Sequence, residues 1–150
     1  MPSSVNPKKI VLKGDPISKE GQVGTGMTLV PGVLVQFDND GDVAVHSTAG
    51  GNATNSFCDV RDYMGETISS QYSAGESIKY NVHRSGDEVY AFLSAGQDVN
   101  KGDFLESAGN GALREFTNQA NQFNSIVAIA LEDVDNSLGG AKTRIKVEIV

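Results

Sequence analysis

Glycine recurs along the whole chain and divides it into short apolar runs. There are 17 glycines and only four prolines among 150 residues, and glycine is the residue that supplies the positive φ angles of tight turns. Such frequent turns argue against a helical bundle and favour many short strands. The length suits one domain with a sizeable core, so we predict a single compact all-β domain, a small β-barrel or a β-sandwich-like fold.

Three pairs of strand-like runs enclose turn residues and predict β-hairpins. They are 33–37 with 43–46, 76–83 with 88–93, and 104–106 with 113–116. The apolar run 125–131 predicts a buried strand. The last strand alternates, which directs Ile145, Val147 and Ile149 to the core. Residues 114–123 are compatible with a short helix or with a loop.

Part of the sequence repeats. Residues 26–46 align without gaps to residues 96–116, an offset of 70 that superposes glycines, turn and strand residues. Two interpretations stay open at this point. Two β-hairpins with similar turns resemble each other by chance, or the chain forms a pseudo-symmetric β fold. Two copies are too few for a solenoid.

The charge is distributed unevenly along the chain. The net charge is −7, yet residues 1–14 contain three lysines and no acidic residue. An acidic body disfavours binding to nucleic acid. The proline- and serine-containing start predicts an extended arm over residues 1–14, mobile in the free protein, followed by a single β domain over residues 15–150. Ile10, Val11 and Leu12 form a strand-like run without a partner nearby in sequence; the alternative is an ordinary first strand paired within its own subunit.

No combination of residues predicts catalysis or a bound cofactor. Cys58 is the single cysteine, which excludes an internal disulfide, and its apolar neighbours predict a small buried side chain. His46 and His83 are interpreted as residues at strand ends. The acidic turn 38–42 fails the spacing of an EF-hand and is interpreted as a hairpin tip, with a weak surface cation site left open. The protein is therefore predicted not to be an enzyme.

Neither a leader peptide nor a membrane span is predicted. The first residues lack an apolar stretch, and no apolar run approaches the ~18 residues that a span requires. We expect synthesis and folding in a cytoplasm, without membrane contact.

The run Gly96-x-x-Val99-x-x-Gly102-Asp103-x-Leu105 is similar to a segment of lipoyl and biotinyl carrier domains. Those domains carry a modified lysine that is exposed at a hairpin tip. The candidate tips 84–87 and 109–111 contain no lysine, and Lys101 precedes a turn glycine. The sequence therefore argues against a carrier domain.

A wider set of residues, between Val60 and the C-terminus, resembles the small head decoration (cement) proteins of tailed bacteriophages. The set comprises Arg61-Asp62, Gly65, Ile68, Tyr72 and Ala74-Gly75-Glu76; Gly86-Asp87-x-Val89-Tyr90-Ala91 and Leu93; Gly96-x-x-Val99-x-x-Gly102-Asp103-x-Leu105-Glu106-Ser107; Gly109-Asn110-Gly111-x-Leu113; Ile126-Val127-Ala128-Ile129-Ala130-Leu131-Glu132; and Arg144-Ile145-x-Val147-x-Ile149-Val150.

The resemblance implies a structural virion protein without catalysis. It would bind the major capsid protein on the outer face of the head, as homotrimers at three-fold positions, and stabilise the mature shell. On this hypothesis the capsid-contacting arm comprises Lys8, Lys9, Ile10, Val11, Leu12 and Lys13, with its strand adding to a capsid-protein loop. The alternative is a virion-surface module that binds glycans or a host surface, for which Phe57, Tyr63 and Tyr72 are the candidate aromatic residues.

Overall fold

The computed structural model describes residues 6–117 and 124–150, and in these residues the chain is almost entirely β-structure. The predicted all-β class is confirmed. A single-turn 3-10 helix spans Asp62–Met64, and no helix in the described ranges has the length and apolarity to cross a membrane. The strands are β1 (Val11–Lys13), β2 (Ile17–Gln22), β3 (Thr28–Leu29), β4 (Val35–Phe37), β5 (Val43–Val45), β6 (Ser56–Asp59), β7 (Tyr72–Ser73), β8 (Ser77–Val82), β9 (Glu88–Leu93), β10 (Asp98–Val99), β11 (Phe104–Ser107), β12 (Leu113–Glu115), β13 (Ile126–Ala130), β14 (Val134–Asp135) and β15 (Thr143–Ile149).

The C-terminal unit, β9 to β15, contains a closed five-stranded barrel. Its strands pair in the order β9-β12-β11-β13-β15, and β15 pairs again with β9 to close the ring. The predicted strand 125–131 is β13, and the predicted alternation of the last strand is confirmed. Ile145, Val147 and Ile149 are at most 1% exposed and fill this barrel.

The N-terminal unit, β2 to β8, is a less regular version of the same arrangement. Strands β2, β8 and β6 form one antiparallel sheet, and β4 pairs with β5. Two isolated bridges join these pieces: Val23 pairs in parallel with Val43, and Leu34 pairs antiparallel with Phe57. A second apolar cluster that includes Val43, Cys58 and Ile78 lies inside this unit.

The two units repeat each other. Strands β3 and β5 precede β10 and β12 by 70 residues. The parallel bridge Val23↔Val43 recurs as Leu93↔Leu113 at the same offset. Gly32 and Gly102 share a φ of +99° and +98°, a conformation that favours glycine. Of the two interpretations of the sequence repeat, the structure supports the pseudo-symmetric fold.

Two of the three predicted hairpins are confirmed and one is wrong. Strands β4 and β5 pair as predicted, as do β11 and β12. Strand β8 instead pairs with β2 and β6, whereas β9 pairs with β15. The physical reason is that β8 ends one unit and β9 begins the next, so the turn between them is a connection between units. Of the segment 114–123, β12 ends at Glu115, and residues 118–123 lie outside the described residues.

The N-terminal segment, residues 6–14, is part of the folded body. Strand β1 pairs antiparallel with β9 through Val11↔Val89, and the amide of Tyr90 donates to the carbonyl oxygen of Ile10 at 2.8 Å. Ile10 is fully buried in the core of the C-terminal unit. Of the two interpretations of this run, a first strand paired within its own subunit is the one that the structure supports. Its partner β9 lies more than 70 residues away in sequence, which local pattern does not reveal.

Candidate functional site: the groove beside the N-terminal strand

A groove of about 430 Å³ separates the N-terminal segment from β6 and the 3-10 helix. Because β1 lies along β9, the lysines that flank it are held next to acidic residues of the N-terminal unit. The residues around the groove are Lys8, Lys9, Val11, Leu12, Lys13, Gly14, Asp59, Val60, Asp62, Glu66 and Lys79. The structure thus brings five of the six predicted contact residues to one groove.

The basic rim of this groove, Lys8, Lys9 and Lys13, is exposed. Lys13 lies 3.5 Å from Glu88, with its side chain 75% exposed, so this ion pair stabilises little. Val11 and Leu12 are half-buried, whereas Ile10 is fully buried. The ammonium groups and the half-buried aliphatic residues are accessible to a partner, but the side chain of Ile10 is not.

Two acidic residues that line the groove, Asp59 and Glu66, are already paired within the protein. Asp59 accepts a hydrogen bond from Asn81 at 2.7 Å and lies 3.5 Å from Lys79. Glu66 accepts from Arg61 at 2.6 Å and from the Tyr72 hydroxyl at 2.7 Å. The Arg61 guanidinium holds the pKa of Glu66 below its usual value. Burial, with the Glu66 contact, raises the pKa of Tyr72 to about 12. Asp59 and Glu66 therefore make contacts that support the fold.

The candidate nucleophile Cys58 is buried, as predicted. It is 0% exposed, and burial raises the pKa of its thiol. A thiol that stays protonated and inaccessible is unreactive. Cys58 packs in the apolar cluster of the N-terminal unit.

A serine–histidine pair that the sequence did not indicate lies between the two units. The Nδ1 atom of His46 is 2.7 Å from the Ser107 hydroxyl, and Nε2 is 2.8 Å from the carbonyl oxygen of Asn52. Because a carbonyl accepts only, Nε2 donates to Asn52, and in the neutral imidazole Nδ1 then accepts from Ser107. Both side chains are at most 2% exposed, so the hydroxyl faces no substrate space. The pair fixes the end of β5 against β11.

His83 is a second buried group that the sequence did not distinguish. Its side chain is 0% exposed, and its Nδ1 lies 3.4 Å from Asp87. Neither ring nitrogen has a hydrogen-bond partner. Burial lowers the pKa of His83, although Asp87 and Asp59 act in the opposite direction. The ring also packs edge-on against Phe57, with 5.8 Å between the ring centroids.

In the acidic turn 38–42, the carboxylate of the first residue stabilises the turn itself. Asp38 Oδ1 accepts from the amides of Asp40 and Asp42, each at 2.9 Å, which is an Asx-turn. Across residues 6–117 and 124–150, no group of three or more histidine, cysteine or acidic side chains is arranged to hold a metal ion.

Of the three aromatic residues considered for glycan binding, only one is accessible. Phe57 and Tyr72 are at most 1% exposed, whereas Tyr63 is 70% exposed. A sugar-binding surface normally presents aromatic faces to solvent, so this arrangement weakens the alternative function.

Comparison with known proteins finds similarity among solved structures. No family model matches the chain, and no curated protein matches it. Among solved structures, the N base of the head fiber protein gp8.5 from bacteriophage phi29 is similar to it, with a TM-score of 0.55 and 12% sequence identity. The match covers 89% of this chain and 93% of that chain. At this identity the similarity concerns the fold, and it spans both repeated units.

Proposed function

We propose that the protein is a structural decoration protein of a tailed-phage head. It binds the major capsid protein on the outer surface, as homotrimers at local three-fold positions, stabilises the mature shell and catalyses no reaction. The observation that carries the proposal is the shared fold with a phage head fiber base across 89% of the chain. The ordered residue pattern from Val60 to the C-terminus supports it independently, because that pattern is a property of the sequence and not of the fold.

The charge distribution supplies a docking mechanism. The body is acidic overall, with a net charge of −7 for the whole chain, whereas the basic rim concentrates three lysines beside one groove. Opposite charges on the shell would orient the protein during encounter and make the association rate sensitive to salt. The buried Ile10 leaves the lysines, Val11 and Leu12 as the contacts available on this surface.

The test uses heads of the phage whose genome carries this gene, prepared without the protein. Purified protein is added, and bound and free fractions are separated by sedimentation. We expect saturable binding and, in a reconstruction of the decorated heads, density in groups of three on the outer face. Absence of binding, or isolated copies away from three-fold positions, contradicts the proposal or its trimeric form, respectively.

A charge-reversal pair tests the basic rim separately. Lys8→Glu with Lys9→Glu should weaken binding at low salt by about ten-fold or more, since each exposed charge pair contributes up to ~1 kcal/mol and reversal adds repulsion. Arg84→Glu with Lys101→Glu changes the net charge equally at exposed turns outside this groove. Equal affinity of the two double variants would show that the rim is not the contact surface.

A further inference from the structure

Strand β2 has one edge without a partner strand. Strand β8 pairs with the other edge through six residue pairs, from Ile17↔Val82 to Gln22↔Ser77. Beyond β2, Val23 forms the single parallel bridge to Val43. In the described part of the chain, no further strand pairs with residues 17–22.

The counterpart of this edge in the C-terminal unit is covered. Strand β9 carries β15 on one edge, while β1 and β12 share the other edge. The repeat offset of 70 residues places Ser18, Lys19 and Glu20 where β9 has Glu88, Val89 and Tyr90, which are the residues beside β1. Tyr90 is 7% exposed beneath this cover, whereas Glu20 is exposed. The fold therefore contains two equivalent strand-binding edges, one occupied and one vacant.

Backbone alternation shows which groups the vacant edge presents. The amide of Val23 donates to Glu76 next to β8, and the amide of Gly24 donates to Val43 on the other side. Since successive residues of a strand direct their backbone groups to opposite edges, the amides of Ser18, Glu20 and Gln22 point outwards. The covered unit uses the same position, because the amide of Tyr90 donates to Ile10.

A shallow apolar and charged groove extends from the vacant edge across the β2–β8 pair, because Lys79, which lines it, lies opposite Glu20 on β8. Its volume is about 410 Å³, and Ser18, Lys19, Glu20, Tyr63 and Lys79 line it. Tyr63 is 70% exposed, and Ile17 at the start of the strand is 49% exposed. The stretch 17–22 contains no proline, so no residue of the strand lacks an amide for pairing.

We propose that this edge, Ile17–Gln22, accepts an extended segment of the shell protein as an added antiparallel strand. Backbone hydrogen bonds would supply affinity, and the alternate side chains of the segment that share the face of Glu20 would lie towards the groove that Tyr63 lines. The source of the segment rests on the proposed function. The mode of binding rests on the occupied edge of β9, where β1 inserts Ile10 in this manner.

A second copy of this chain is a poorer occupant of the edge. Two β2 strands related by a two-fold axis pair antiparallel with one residue opposite itself. At the centre of the strand that residue is Lys19 or Glu20, and like charges directly opposite are destabilising. A different polypeptide avoids this repulsion.

The test removes one outward amide without changing the rest of the edge. Glu20→Pro deletes the donor, and Glu20→Ala is the matched control because it keeps the donor and loses the same carboxylate. Proline is tolerated where an edge-strand amide faces solvent, and circular dichroism checks that both variants fold. In the sedimentation assay with undecorated heads, we expect Glu20→Ala to bind within two-fold of the parent and Glu20→Pro at least ten-fold more weakly.

A second pair of variants guards against a folding defect of the proline variant. Tyr63→Ala should weaken binding several-fold, whereas Tyr63→Phe, which keeps the ring, should not. Parent-like affinity of both Glu20→Pro and Tyr63→Ala overturns the proposal while leaving the decoration function intact.

A probe that does not need phage heads tests the strand-accepting edge separately from the decoration function. A synthetic peptide with the sequence of residues 8–14 carries the strand that pairs with the equivalent edge of β9. If heads do not bind the protein at all, titration of this peptide decides. Amide NMR shifts at Ser18, Glu20 and Gln22, lost in Glu20→Pro, support the strand-accepting edge; their absence overturns it.

Discussion

Several polar residues on and after β8 are buried. Asn81 donates from β8 to Asp59 on β6, and His83 follows in the connection to β9. These groups are at most 9% exposed. Buried polar groups reduce stability unless they are hydrogen-bonded. The two ring nitrogens of His83 have no hydrogen-bond partner, so burying His83 costs more free energy than burying Asn81 or Asp59.

His83 should make stability depend on pH. Burial holds its pKa in the folded state below the unfolded value of about 6.5. The unfolded state therefore binds more protons as pH falls through 6.5, and the free energy of unfolding decreases towards acid until the folded-state pKa is passed. Chemical denaturation between pH 7.5 and 5.5 should show this decrease.

The control for this pH effect is His83→Phe, which keeps an aromatic ring beside Phe57 and removes the titration. Its free energy of unfolding should vary less over the same interval. A parent-like pH slope in the variant would mean that groups other than His83 determine the acid sensitivity.

Val147 should contribute to stability through its buried methyl groups. It is 0% exposed in the barrel of the C-terminal unit. Val147→Ala should lower the free energy of unfolding by ~1–3 kcal/mol, because transfer energy is lost and a cavity remains. Val150→Ala is the matched control, since Val150 is 46% exposed. If the two variants had the same midpoint of thermal unfolding, the inward orientation of Val147 would be contradicted.

At the scale of elements, β1 is a structural strand of the C-terminal unit. Deleting residues 1–13 removes the fully buried Ile10 and uncovers the edge of β9. The free energy of unfolding should fall by at least the ~2–5 kcal/mol typical of truncating a buried isoleucine. An arm that lay outside the domain, as the sequence alone suggested, would instead leave the body intact after this deletion.

Deleting residues 1–7 is the control for the longer truncation. It leaves Ile10 and the paired residues of β1 in place. Circular dichroism melts should show a parent-like midpoint for this variant and a clearly lower midpoint after deletion of 1–13. A parent-like melt of the longer truncation would mean that the barrel does not require β1.

At the scale of the whole molecule, the two units share their cores. Leu34 and Phe57 of the N-terminal unit pack in the cluster of the C-terminal barrel, and Phe92 and Ala112 pack in the opposite cluster. The Arg144 guanidinium on β15 donates to the carbonyl oxygens of Pro31 and Ile68. Each unit is therefore completed by residues of the other.

The shared cores predict one cooperative unfolding transition. Fragments 1–84 and 85–150, expressed separately, should each lack a folded near-ultraviolet circular dichroism spectrum, because each exposes apolar residues that the other covers. Mixing them should restore structure. A fragment that melts cooperatively by itself would show that the repeated units are independent domains.

Much of the fold follows from local sequence pattern. The strand alternation of 145–149, the buried run 125–131 and two hairpin turns were predictable, because side-chain direction alternates in a strand and glycine turns connect neighbours. The sequence repeat of 26–46 in 96–116 indicated the pseudo-symmetry. The cluster of lysines near the N-terminus was also predictable, because the number of charged residues in a segment follows directly from its sequence.

The tertiary structure decided the long-range pairings. Ile10 is buried because β1 pairs with β9. Strand β8 pairs with β2 and not with its sequence neighbour β9, because β8 and β9 belong to different units. Local pattern carries no information on such partners, since the energy comes from contacts between residues far apart in sequence. The vacant edge of β2 and the covered edge of β9 differ in their pairing partners, and those partners are defined by the tertiary structure.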